Sequence, residues 1–175
     1  MSEFDQRLSL DQIRDGDRID LSADQTECSS IADRLGLLSL DRLDAHAVLS
    51  RDGEKIRATG RIKASLAQPC VATGEPVPAL VDEPFELQFL PEPRGIRPDE
   101  ELELGADDLD TIFHDGSGIE LGSAIIDSLA LALDPYPRSA GADAALKEAG
   151  VLSEEEAGPF AALAALREKL GGSGP

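Results

Sequence analysis

The chain contains no tryptophan, one tyrosine and five phenylalanines, so aromatics make up only 3% of its 175 residues. A core of ordinary size must therefore be built from Leu, Ile, Val and Ala, which the 41% apolar content allows. Cysteine is equally scarce. Two residues, Cys28 and Cys70, provide no disulfide framework, and with two scattered histidines they do not form a spaced zinc set. Bases are few as well: 16 Lys and Arg against 35 Asp and Glu leave a formal charge of −19. A field of that sign repels nucleic-acid phosphates and anionic membranes and favours basic partners. No apolar run approaches the roughly 18 residues that span a bilayer, and the opening MSEFDQRLSL does not read as a signal peptide. The expected compartment is the cytoplasm. No fixed-period repeat is visible.

The strongest positive signal is IELGSAIIDSLALALDPYPR at 119–138. Leu121, Ile125, Leu129 and Leu133 recur every four residues, with Ile126 and Ala130 beside them, predicting a core helix of about four turns. Small polar residues at 115–118 signal its start, and Pro135 and Pro137 its stop. A second helix is expected over 26–37, with Cys28, Ile31, Ala32 and Leu35 on one face and Gly36 as its stop.

Around these helices the pattern switches to period two. Residues 42–51 alternate Leu43, Ala45, Ala47 and Leu49 inward, leaving His46 on the wetter face. Asp52-Gly53 turns the chain into EKIRATGRIKASLAQ, whose Ile56, Ala58, Gly60, Ile62, Ala64 and Leu66 share one face. Gly60 marks either a bulge or a close approach to the backbone. QPCVATGEPVP at 68–78 connects to a third strand bearing Val81, Phe85, Leu87 and Phe89, completing an antiparallel meander over 42–90. Residues 4–10 and 18–23 are expected to pair with each other, and LDTIFHDG to form a short strand before the main helix. The fold class is thus α+β: an antiparallel meander packed by two helices.

Two stretches fall outside that frame. Residues 91–108 have no apolar period and concentrate acids from Asp99 to Asp108, the composition of a solvated loop. Beyond Arg138 the expectation is a linker over 139–158, with a helical turn near Ala144, and then a short amphipathic helix and tail over 159–175. Phe160, Leu163 and Leu166 lie on that last helix's apolar stripe, which either packs back on the domain at 1–138 or docks on a partner.

The opposite face of the central strand carries Lys55, Arg57, Arg61 and Lys63. Two roles are open for this strip. It either pairs across strands with Asp44, Asp82 and Glu86, or it contacts RNA phosphate. Cys70 reads as a lone buried or half-buried thiol. No nucleophile stands with a base, and no glycine-rich phosphate loop or metal set is present, so neither catalysis nor a cofactor is expected.

With QPCVATGEPV at 68–77, FELQFLPEP at 85–93 and IELGSAIIDSLALALDPYPR at 119–138 in this order, the chain resembles the YceD family, the large ribosomal RNA subunit accumulation proteins. IADRLGLLSLDRLDA at 31–45 and the tail PFAALAAL are similar to the alphaproteobacterial branch. The resemblance runs over about residues 4–142. It implies a non-enzymatic role in accumulating the large-subunit (23S) ribosomal RNA. The implied partner is a ribosomal protein or pre-ribosomal particle of the large subunit, or the ribosomal RNA itself. It also implies a frequent gene neighbour encoding a small large-subunit ribosomal protein. The alternative role is an acidic binding partner or chaperone for such a basic protein. Other branches carry a second cysteine soon after the first; here Cys70-Val71-Ala72-Thr73 departs from that, so no family metal site carries over.

Overall fold

A computed structural model describes Phe4 and residues 7–93 and 111–151. The acidic stretch 94–110 and the amphipathic segment with Phe160, Leu163 and Leu166 lie outside the described residues. The chain divides into two compact units, Met1–Gln68 with Pro78–Pro135, and Pro69–Val77 with Tyr136–Pro175.

The first unit is built on a five-stranded sheet of order β2-β3-β4-β5-β6. β3 (Ser39–Asp52) and β4 (Lys55–Pro69) form the hairpin read from Asp52-Gly53, in antiparallel register from Asp52↔Lys55 to Ser39↔Ala67. Gly53 sits at φ 63°, the left-handed conformation such a turn demands. β5 (Pro76–Pro91) lies beside β4, completing the expected meander. Two strands then extend it. β2 (Arg18–Ser22) pairs antiparallel with β3, from Arg18↔Val48 to Ser22↔Asp44. β6 (Thr111–His114) pairs parallel with β5, from Gln88↔Thr111 to Pro91↔His114, so the sheet is mixed, not wholly antiparallel.

The expected pairing of residues 4–10 with 18–23 does not form. β1 (Leu8–Ser9) pairs instead with β7 (Gly118–Ile119), as Leu8↔Ile119 and Ser9↔Gly118. β2 prefers β3 because that register turns Ile19 and Leu21 toward the core and leaves Asp20 facing His46 on the wet side.

α1 (Gln25–Leu35) starts at Asp24, whose side chain accepts from the Glu27 amide at 2.8 Å, while Glu27 reaches back to the Asp24 amide at 2.7 Å. This reciprocal cap satisfies two donors that the first turn would otherwise leave unpaired. Glu27 also accepts from the Phe4 amide at 3.0 Å, which explains a buried carboxylate at the helix start. Gly36 ends the helix at φ 66°. α2 (Leu121–Ala132) buries Leu121, Ala124, Ile125, Ile126 and Leu129. Its stripe is narrower than expected: Ala130 is exposed, Leu133 lies beyond the last turn, and the helix stops before Pro135. Both helices share one core with the inward residues of β3, β4 and β5. No described helix is long and apolar enough to cross a membrane.

Gly60 resolves in favour of close approach. A Cβ there would stand 1.9 Å from the His46 carbonyl oxygen and 2.8 Å from the Phe85 ring. The sheet's irregularity falls elsewhere, between Leu40 and Arg42 of β3.

The second unit gathers the β4–β5 connection and the chain after Pro135. The Cys70 amide donates to the Glu75 carbonyl at 2.8 Å, and Val71 to that of Pro137 at 2.9 Å. α3 (Ala142–Glu148) supplies the helical turn expected near Ala144.

Candidate functional sites: the β4 cation strip and the Cys70 knot

Strand alternation places Lys55, Arg57, Arg61 and Lys63 on the solvent face of β4, opposite Ile56, Ala58, Ile62 and Ala64. The four cations are thus brought together, but not left bare. Arg57 pairs with Glu86 at 3.0 Å, Arg61 with Asp82 at 2.6 Å, and Lys63 with the other oxygen of Asp82 at 3.9 Å. As positions on β4 rise from 57 to 61 their partners on β5 fall from 86 to 82, the order of antiparallel neighbours. The Arg61 guanidinium holds the Asp82 carboxyl below the usual carboxylate range, while Asp82 raises Arg61 in turn.

Asp44, the register partner of Lys63, also joins this face. Burial pushes its carboxyl upward, but hydrogen bonds from Ser22 and Arg42, with the charges of Arg42 and Lys63, bring it below its ordinary value. His46 Nδ1 stands 2.6 Å from Asp20 on the same surface. Lys55, opposite Asp52 at the hairpin end, makes no ion pair among the described residues. The surface is a ladder of alternating charge, and each exposed pair contributes little to stability. Its effect is to neutralise most of the strip locally.

The second site was not legible as a site. Cys70 is buried, and the Ser139 amide stands 3.3 Å from its sulfur, from a position 69 residues away. The Ser139 hydroxyl donates to Glu75 at 2.9 Å and lies 3.3 Å from Thr73 Oγ1. The hydroxyl and amide of Ser139, then the Thr73 hydroxyl, lower the Cys70 thiol to about 6 against the opposing effect of burial. The donor that reaches the sulfur directly is the Ser139 amide. Cys28 is the opposite case: burial, followed by the carboxylates of Glu27 and Asp24, pushes that thiol up. Among the described residues no three His, Cys, Asp or Glu side chains stand where they would hold a metal together. Cys70 is tied into a polar network with Ser139, Thr73 and Glu75.

His114, the other buried polar group of note, ties β6 to the hairpin end. Its Nε2 donates to the Glu54 carbonyl at 2.8 Å, and its Nδ1 accepts from the Gly116 amide at 3.1 Å. Both ring nitrogens are occupied structurally, so neither is free for chemistry.

Among known proteins, a family model described as large ribosomal RNA subunit accumulation protein YceD matches residues 58–167, a span that opens within β4 and contains β5, α2 and α3. No curated protein and no solved structure matches the chain.

Proposed function

Because the chain belongs to the YceD family of large ribosomal RNA subunit accumulation proteins, we propose that it acts in large-subunit assembly as a non-enzymatic binding factor whose direct contact is a basic protein component. Involvement in large-subunit ribosomal RNA accumulation follows from the family's name; the protein contact is our addition. One observation supports it above the others. The only dense cation strip on the described surface is already occupied by carboxylates, Arg57 with Glu86 and Arg61 and Lys63 with Asp82.

RNA would have to displace those intramolecular pairs against a net charge of −19. At physiological salt, where charges are screened over about 8 Å, a neutralised strip offers phosphate little attraction. A basic protein meets the opposite situation: the overall field draws it in, and the exposed acids give it partners. The amphipathic segment with Phe160, Leu163 and Leu166 is a second candidate contact in this proposal, through its apolar stripe.

A salt series of binding to protein-free large-subunit RNA tests the choice, alongside an Arg61→Glu/Lys63→Glu variant. Weak binding near physiological salt, unchanged in the variant, is expected. A native pull-down should keep its protein partner after ribonuclease treatment. Tight RNA binding that the variant abolishes would overturn the proposal and make the strip the RNA site.

A further inference from the structure

Among the described residues β2 is an edge strand of the sheet. The bonds that flank it, Leu49 N–H to the Asp17 carbonyl at 2.8 Å and Ala23 N–H to the Leu43 carbonyl at 2.9 Å, show which residues face β3. In an antiparallel ladder this alternation continues, so Ile19 and Leu21 exchange hydrogen bonds with Ala47 and Ala45. The backbone N–H and C=O groups of Arg18, Asp20 and Ser22 therefore point away from the sheet. No described residue pairs with them. Beside this edge lies a groove of about 360 Å³ lined by Leu8, Ile19, Leu21 and Leu121, with Asp20 also on its wall. Ile19, Leu21 and Leu8 are only partly buried there.

Edge strands are ordinarily guarded by lysine, proline, a bulge or a covering element. RIDLS contains neither lysine nor proline, and the sheet's irregularity lies at Leu40/Arg42 instead. Acids outnumber bases along the edge strand and its flanks, while Arg42, Arg61 and Lys63 stand with His46 on the wet face beside Asp20. Asp15, Asp17, Asp20 and Asp24 flank the edge against Arg14 and Arg18. Asp15, Asp17 and Asp24 accept from backbone amides of Arg51, Arg14 and Glu27, bonds that orient a carboxylate without cancelling its charge. None of these three pairs with a Lys or Arg side chain among the described residues. Asp20 stands beside the His46 ring and stays 83% exposed.

Resting on the basic-protein partnership proposed above, we infer that the β2 edge is where that partner docks: an extended basic segment adds as a sixth strand beside Arg18–Ser22. Alternate apolar side chains of the segment seat in the Leu8/Ile19/Leu21/Leu121 groove, and the intervening Lys or Arg side chains meet Asp20 and its neighbours. Main-chain hydrogen bonds supply the affinity, and the aspartates select the sign. A second copy of this chain is disfavoured on the same edge because it would set one aspartate cluster against another.

The test uses the full chain and two short peptides of equal composition, one alternating lysine and valine strictly, the other with the same residues in two blocks. The alternating peptide is expected to bind about tenfold tighter or more. On binding, amide exchange should slow at Arg18, Asp20 and Ser22 but change little at Ile19, Leu21 and Ala23, whose amides already face β3. Asp20→Lys should weaken the alternating peptide about tenfold. Ser22→Pro, which removes an edge-facing N–H and no backbone bond to β3 but also the Ser22 hydroxyl's bond to Asp44, should abolish its advantage where Ser22→Ala, which loses that hydroxyl alone, keeps it; if the proline variant fails to fold, Asp20→Lys and the exchange pattern decide. Equal binding of both peptides with no alternating protection overturns strand addition while leaving a basic partner in place. Recovery of ribosomal RNA but no basic protein from a lysate overturns the partnership itself. A self-association that Asp20→Lys strengthens or abolishes would assign the edge to a second copy and likewise sink the inference.

Discussion

The two faces of β4 share one backbone and obey different rules. Inward, Ile56, Ala58 and Ile62 are fully buried in the core they share with α2 and neighbouring strands, where a missing methylene leaves a void. Outward, Arg57, Arg61 and Lys63 reach carboxylates through solvent, where a lost partner is replaced by water. The inner face holds the fold together; the outer face carries exposed charge pairs that contribute little to it. Stability should therefore respond steeply to changes on one side and barely to changes on the other.

The largest effect should come from the helix that shares the core with that inner face. Leu129 is fully buried in mid-helix, so Leu129→Ala should lower stability by about 2–5 kcal/mol in a thermal or denaturant melt. An unchanged melting temperature would show that α2 does not carry the core. Next is Gly60→Ala. The added methyl collides with the backbone oxygen of His46, so a loss of about 1–3 kcal/mol is expected. Trimming the ring by Phe85→Leu should not restore it, because the shorter contact is with main chain. Full rescue by that second change would reassign the clash to the side chain.

A comparable contrast separates the two thiols. Thiolate absorbance should show Cys70 titrating near pH 6, with Cys28 still protonated well above neutrality. Since the folded Cys70 value lies below the unfolded one of about 8.5, its stabilising contribution is complete above that pH. It is lost as pH falls through 6. A Ser139→Ala variant, which keeps the amide donor, should move the Cys70 midpoint upward; an unmoved midpoint would mean that the Ser139 hydroxyl does not lower it. The smallest effect belongs to Asp82→Asn. Its carboxyl is held below the ordinary range by Arg61, so the difference from the unmodified protein should be present above about pH 4 and vanish on further acidification. Added salt should shrink it. A difference as large as that for Leu129→Ala would erase the distinction between the faces.

What was legible in the sequence follows the same division. Long periods could be read: the alternation of β4, the stripe of α2 with Leu121, Ile125 and Leu129, the Asp52-Gly53 turn and the Gly36 stop all appear as expected. The acids expected to neutralise the cation strip, Asp82 and Glu86, are its partners, because a strand's two-residue period fixes which side chains face alike. Short elements could not be read. Leu8–Ser9 is too brief to show any period, so nothing local distinguishes β7 from β2 as its mate. The Cys70 knot was hidden for a related reason, since Ser139 becomes its neighbour only through the folded path of the chain. An edge strand is equally silent, because RIDLS reads alike whether or not a second strand covers it.

The pairing of Leu8 with Ile119 also sets an order of events in time. It joins positions more than a hundred residues apart, and Arg7 reaches Asp115 across the same gap at 2.6 Å. A ribosome making this chain at about 5–20 residues per second exposes the N-terminal segment for many seconds before its mate exists. The β3–β4 hairpin, closed by a two-residue loop, forms locally long before that. The Leu8–Ile119 pairing therefore cannot close until well after the hairpin has formed.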